Sequence, residues 1–82
     1  MDNYNIMAIV ISHRSKNAPD VQKVLTKFGC MIKVRLGLHE AGNVCSEEGL
    51  IVLQLVGEGS EIKSFQEELN ALEGVRANTM VV

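Results

Sequence analysis

Residues 3–12 read NYNIMAIVIS and residues 50–56 read LIVLQLV, and these two runs decide the fold. In the first, Ile6, Ala8 and Val10 occupy one parity while Met7, Ile9 and Ile11 occupy the other. In the second, only Gln54 interrupts the apolar series. Side chains of a strand alternate between its two faces, so a strand that is aliphatic on both parities belongs in the middle of a sheet, buried on both sides. The run at 50–56 predicts a second central strand of the same kind.

The segments between these runs supply the rest of the fold. HRSKNAP (13–19) is a polar connection in which Asn17 is placed to cap a helix and Pro19 to sit in its first turn. Val21, Val24, Leu25 and Phe28 then fall on one helical face, and Gly29 follows as a left-handed stop. In MIKVRLGLH (31–39), Ile32, Val34, Leu36 and Leu38 alternate with Met31, Lys33, Arg35, Gly37 and His39, the period of a half-buried strand. After the polar stretch 40–49, EAGNVCSEEG, and the central run, Gly57, Gly59 and Ser60 open a second helix with apolar positions Ile62, Phe65, Leu69 and Leu72. Glu58 and Glu61 sit where the helix dipole favours anions, and Gly74 closes the segment. VRANTMVV (75–82) reads as an edge strand.

The order βαββαβ defines an α+β, ferredoxin-like domain spanning residues 1–82: a four-stranded antiparallel sheet with two helices on one face. Two helices cover one face only. The other face inherits one parity of both central strands, either Ile9 and Ile11 or Ala8 and Val10, and exposed aliphatic area of that kind marks an interaction surface. An 82-residue chain is also close to the size at which one core is marginal. The expectation is a homo-oligomer, dimer or tetramer, joined through that face or the edge carrying Arg35, with Lys33 and Arg35 rimming the contact.

Charge and composition exclude several functions. Residues 1–40 hold six Lys/Arg against three Asp/Glu and residues 41–82 hold two against seven, so the halves are +3 and −5 and the chain −2. A nucleic-acid binder concentrates basic charge among aromatic residues, and with one Tyr, two Phe and no Trp this chain does not, so direct nucleic-acid binding is not expected. The longest apolar run, Ile6 to Ile11, falls far short of the roughly 18 residues of a membrane span. A cytoplasmic protein without a membrane partner is the expectation, with Cys30 and Cys45 as free thiols.

Chemistry-bearing residues are few. His39 and Cys45 lie six positions apart and could begin a zinc, nickel or copper site, but a structural zinc site needs four ligands and a catalytic one three plus water, so partners from another subunit would be required. This metal-sensor reading is the alternative function. His13, Arg14 and Lys16 precede a helix N-terminus, where cations and free N–H groups together could hold a carboxylate or phosphate. Ser12, Ser15 and Ser46 lack histidine and acid partners at a known spacing, so no enzyme is expected. An acylphosphatase of this fold would need a glycine-rich cradle with an arginine after the first strand, and a copper chaperone a Cys-x-x-Cys there. Neither is present, and no motif calls for a cofactor.

The run IMAIVIS, the helix end KFG leading to a strand with VRLGL, then LIVLQLVG and FQEELNALEGV together resemble the small regulators associated with iron-only hydrogenase systems. Arg35-Leu36-Gly37-Leu38 is similar to that family's Arg-Met-Gly-Ile, and Arg35 and Gly37 join His13, Arg14 and Lys16 as candidate ligand-binding residues. The resemblance implies an ACT-like oligomer acting as a stand-alone regulatory module, transcriptional or hydrogenase-linked, that binds a small molecule or a partner protein. The chain also resembles the C-terminal regulatory domain of nickel-responsive repressors, whose His-x-His and Cys ligands would fall on Ala41, Asn43 and Gly49 here. Those ligands are missing, which speaks against nickel. Purified protein is therefore expected to contain no stoichiometric nickel, and a His39→Ala/Cys45→Ala double variant to unfold at the wild-type denaturant midpoint. Elemental analysis showing one metal per subunit that disappears in the double variant would contradict this.

Overall fold

Backbone pairing turns the two apolar runs into neighbouring strands at the centre of one sheet. A computed structural model describes residues 3–38 and 48–82, apart from the side chains of Arg14, Ser15 and Leu38. The elements are β1 (Asn5–Ile11), α1 (Arg14–Lys27), a 3₁₀ turn (Gly29–Met31), β2 (Ile32–Leu38), β3 (Gly49–Leu55), α2 (Gly59–Asn70) and β4 (Val75–Val81). The sheet order is β2-β3-β1-β4, every pair antiparallel. This is the ferredoxin-like arrangement expected, with the two-sided apolar strands inside and the more polar ones at the edges.

One parity of the sheet packs under both helices. Met7, Ile9, Ile11, Leu53, Leu55, Val75 and Ala77 form a single buried cluster with Val21 and Leu25 of α1 and Ile62, Phe65 and Leu69 of α2. The helices meet where the rings of Phe28 and Phe65 stack, 4.7 Å between centroids and 14° from parallel. The choice that alternation left open is settled here: Ile9 and Ile11 are in the core, and Ile6, Ala8 and Val10 face the uncovered side.

Three local expectations are corrected. Helix α1 begins three residues before Asn17, because His13 adopts the left-handed conformation (φ 51°, ψ 57°) and its carbonyl accepts from the N–H groups of Lys16 and Asn17. Asn17 therefore lies inside the helix, where its Nδ2 donates back to the Ser12 carbonyl instead of capping. Pro19 becomes the sixth helical residue, and its missing N–H leaves the Ser15 carbonyl without its helical partner. Gly29 is not left-handed either; α1 ends at Phe28, and the 3₁₀ turn closes with the Met31 N–H donating to the Phe28 carbonyl. Positive φ falls instead on Gly57 (φ 130°) and on Gly74 (φ 76°), where an added Cβ would lie 2.7 Å from Asn17 Nδ2.

The third correction concerns β2. Ile32 pairs with Leu55 and Val34 with Gln54, so Lys33 is an extra residue in a bulge. Ile32 consequently shares the helix side with Leu55, while Val34 and Leu36 turn to the open face. Arg35 and Gly37 fall on the helix side instead of rimming the open one.

The edges are also managed. The Asn70 side chain donates from Nδ2 to the Ala77 carbonyl (2.9 Å) and accepts the Ala77 N–H at Oδ1 (2.8 Å), an amide bracket on the outer rim of β4. With the bulge at Lys33 on the opposite edge, each edge strand carries an interruption to regular pairing with another chain.

Energetic weight lies in the apolar cluster and not in surface charge. Lys27 Nζ contacts Glu68 at 2.9 Å, but both side chains are substantially exposed. Phe65→Ala should lower unfolding free energy by about 3–5 kcal/mol, and Lys27→Ala by less than about 1 kcal/mol. Chemical denaturation of both variants checks the contrast; similar losses would mean that the interhelix ion pair matters as much as the core.

Candidate functional site

Helix α1 leaves the outer part of β2 only partly covered, and a cleft of about 370 Å³ opens between them. Its floor is aliphatic: Ile11 of β1, Ile51 of β3, and Val21 and Leu25 of α1. Ala18 and Pro19 form the helix wall, and small side chains there are what keep the space open. The polar groups are Gln22 and Arg35, joined by a hydrogen bond from Arg35 Nη1 to Gln22 Oε1 at 3.0 Å. Gly37 is not among the lining residues, but it pairs with Ile51 and lies on the same side as Arg35; a Cβ built on it meets no atom within 4 Å.

Arg35 is thus a permanent cation over an apolar floor whose observed partner is a neutral amide. Among the described residues no carboxylate forms an ion pair with it. A guanidinium presents five donors in a planar fork, so one bond to Gln22 leaves a geometry suited to a carboxylate or similar anion.

The candidate residues separate into two groups. Arg35 and Gly37 sit on β2 beside the cleft. His13 and Lys16 are exposed at the N-terminal end of α1, and Arg14 is the first residue of that helix, its side chain outside the described set. The first turn contains no acidic residue, so Lys16 sits against the positive end of the helix dipole. His39 and Cys45 lie outside the described residues, and among the described residues no group of three or more His, Cys, Asp or Glu is placed to hold a metal ion. Sequence reasoning missed Gln22 and the aliphatic floor. The available signal was Ala18 and Pro19 one turn before Gln22, two compact apolar residues on one flank of the helix.

The sheet's open face is the second candidate surface. Across it run Val34–Gln54–Ile6–Met80 and Leu36–Val52–Ala8–Asn78, each row in register on four strands. Val34, Leu36 and Met80 are 42%, 55% and 58% exposed, so these are large apolar side chains in water and not merely shielded neighbours. Polarity is confined mainly to β4, where Arg76 and Asn78 lie.

The fold and the sheet order define a class, the ACT-like and PII-like ferredoxin folds. No family model matches the chain, and no curated protein matches it by sequence. Among solved structures, it is similar to the uncharacterized protein TM1266 from Thermotoga maritima at 24% identity and TM-score 0.83, covering 99% of each chain. It is similar to the ACT domain from GTP pyrophosphokinase of Chlorobium tepidum at 16% identity and TM-score 0.66, over 99% of this chain and 85% of that one. It is also similar to CPII, a nitrogen regulatory PII-like protein from Thiomonas intermedia K12 bound to ADP, AMP and bicarbonate, at 15% identity and TM-score 0.57, over 99% and 93%. At these identities the likeness is one of fold. No helix among the described residues is long and apolar enough to cross a membrane.

The turn that starts α1 is testable apart from any ligand. His13 is the only non-glycine residue with positive φ among the described residues, a conformation that disfavours a Cβ and penalises branched side chains most. His13→Gly should be more stable than His13→Val by about 1–2 kcal/mol. Urea midpoints measure the difference, and equal stabilities would show that the turn relaxes at no cost.

Proposed function

We propose that the chain is a regulatory binding module, not an enzyme, that works in the cytoplasm as an oligomer and responds to a small ligand or a partner protein. The observation that carries this reading is the open sheet face, with the cleft beside Arg35 as the place for a ligand. The ACT and PII-like proteins of the same fold lend support, one of them an ACT domain of GTP pyrophosphokinase and another bound to ADP, AMP and bicarbonate. The cleft offers one cation, one amide and aliphatic walls, a set suited to holding a molecule and without a nucleophile and base among its lining residues. Residues Arg35-Leu36-Gly37-Leu38 and the runs around them connect the module to regulators of iron-only hydrogenase systems, and that is the pathway proposed.

The oligomer is formed by a second copy of this chain on the open face. Four strands about 4.8 Å apart and seven residues long at about 3.3 Å each present a footprint near 19 Å by 23 Å. Two such faces total roughly 900 Å², just short of the roughly 1,000 Å² that a specific contact should clear, which is the size of a weak or transient association unless strand edges add to it. Apart from Gln54, the rows from β2, β3 and β1 are apolar, which suits stacking on an identical surface. The interrupted edges make continuous edge-to-edge pairing the poorer route. Burying Leu36, Val34 and Ile6 would contribute up to about 1.5–3 kcal/mol each.

Light scattering across a micromolar concentration series should give a mass at least twice the 9.0 kDa of one chain. Leu36→Asp and Val52→Asp, both on the open face, should shift the protein to monomer while leaving it folded by circular dichroism. A folded wild-type monomer at all these concentrations, or an unchanged mass in both variants, would refute association through this face.

A further inference from the structure

We infer that the α1–β2 cleft binds a small branched aliphatic monocarboxylate without an ammonium group. This rests on the proposed role as a ligand-binding module and gives that role a chemical class. Three features of the cleft select the ligand. Arg35 supplies a fork of donors whose observed partner is the neutral Gln22 amide, so a carboxylate is the group whose charge and planar geometry complement it. The floor of Ile11, Val21, Leu25 and Ile51 is β-branched and branched aliphatic, and it matches a compact hydrocarbon body. Its volume of about 370 Å³ lies near the lower end of the roughly 300–1,000 Å³ typical of small-molecule sites.

The same lining argues against two other ligand chemistries. No Asp or Glu lines the cleft, so the ammonium of an amino acid docked by its carboxylate would lie near the Arg35 guanidinium with no anionic group of the cleft to balance it. No aromatic side chain lines it either, and the one amide is already engaged with Arg35, leaving a purine neither a stacking surface nor a free partner for its ring edges. The carboxylate therefore docks on Arg35 while the branched tail points inward past Gly37 towards Ile51. Gly37 is the register partner of Ile51, which lines the cleft, so a large side chain at position 37 would stand beside Ile51 on the side the tail enters.

Isothermal titration calorimetry tests this with four probes: 4-methylpentanoate, leucine, 4-methylpentan-1-ol and ADP. The carboxylate should bind, and leucine and the alcohol at least about tenfold more weakly, since one adds an unpartnered charge and the other loses the charged hydrogen bonds. Arg35→Leu should weaken the carboxylate by at least about tenfold, and Gly37→Ile should weaken it by a similar factor by placing a side chain beside Ile51, while retaining the wild-type circular dichroism spectrum. Should Gly37→Ile fail to fold, the exposed Arg35→Leu variant decides alone. Equal binding of alcohol and carboxylate, no carboxylate binding at ten millimolar, or wild-type affinity in both variants would overturn the assignment. Binding of ADP that neither substitution affects would also overturn it, while leaving a ligand-binding module with its site elsewhere. A folded monomer that binds none of the four probes would remove the module reading as well.

Discussion

The structure depends on a mismatch between two periodicities. Strands β1 and β3 are aliphatic on both parities, while two helices on one side can bury only one of them. Met7, Ile9, Leu53 and Leu55 are taken into the core by Phe65, Leu69, Val21 and Leu25, and the stack of Phe28 on Phe65 joins the helices above that layer. Everything facing the other way, from Ile6 and Ala8 to Val52 and Leu36, is left as surface. A small domain with little stability to spare thereby leaves a large apolar face outside its own core. That face is the physical basis for reading it as an associating module.

The bulge at Lys33 distributes the remaining functional groups. One extra residue in β2 reverses the facing of everything after it relative to Ile32. Val34 and Leu36 are thereby added to the open apolar face, and Arg35 is delivered to the helix side, next to Gln22. Without the bulge the cation would lie among apolar rows on the association surface, where it would have to be desolvated. The same device breaks the outer edge of β2, while the Asn70 amide occupies part of the edge of β4. The apolar rows and the Arg35 cleft, the surfaces proposed for association and ligand binding, thus lie on opposite sides of one sheet.

Much of the architecture was legible because strongly periodic segments leave few alternatives. The central position of NYNIMAIVIS and LIVLQLV, the apolar stripes of both helices and the edge character of VRANTMVV all follow from residue order. Errors fell where a single backbone conformation outweighs local preference. Asn17 has the chemistry of a helix cap, yet His13 takes the left-handed turn and Asn17 donates to Ser12 from within the helix. Gly29 has the freedom to stop a helix and does not use it, whereas Gly74 needs that freedom against Asn17. Of the candidate site, Arg35 and Gly37 were found through a short motif. Gln22, Ala18 and Pro19 were not, since nothing in their order says that α1 stands away from β2.

The sequence alone determined the order of elements, the identity of the two inner strands and the necessity of one uncovered apolar face, because these depend on periods of 2 and 3.6 residues that composition either satisfies or does not. It did not determine which face is uncovered. Both parities of β1 are equally apolar in one dimension, and only packing in three dimensions places Ile9 and Ile11 under the helices and leaves Ala8 and Val10 outside. Register is likewise a property of pairs: the bulge exists only when Ile32 and Val34 meet Leu55 and Gln54 on the neighbouring strand. The cleft is further removed still from the sequence, since it is the space between two elements 13 residues apart at Gln22 and Arg35 and belongs to neither.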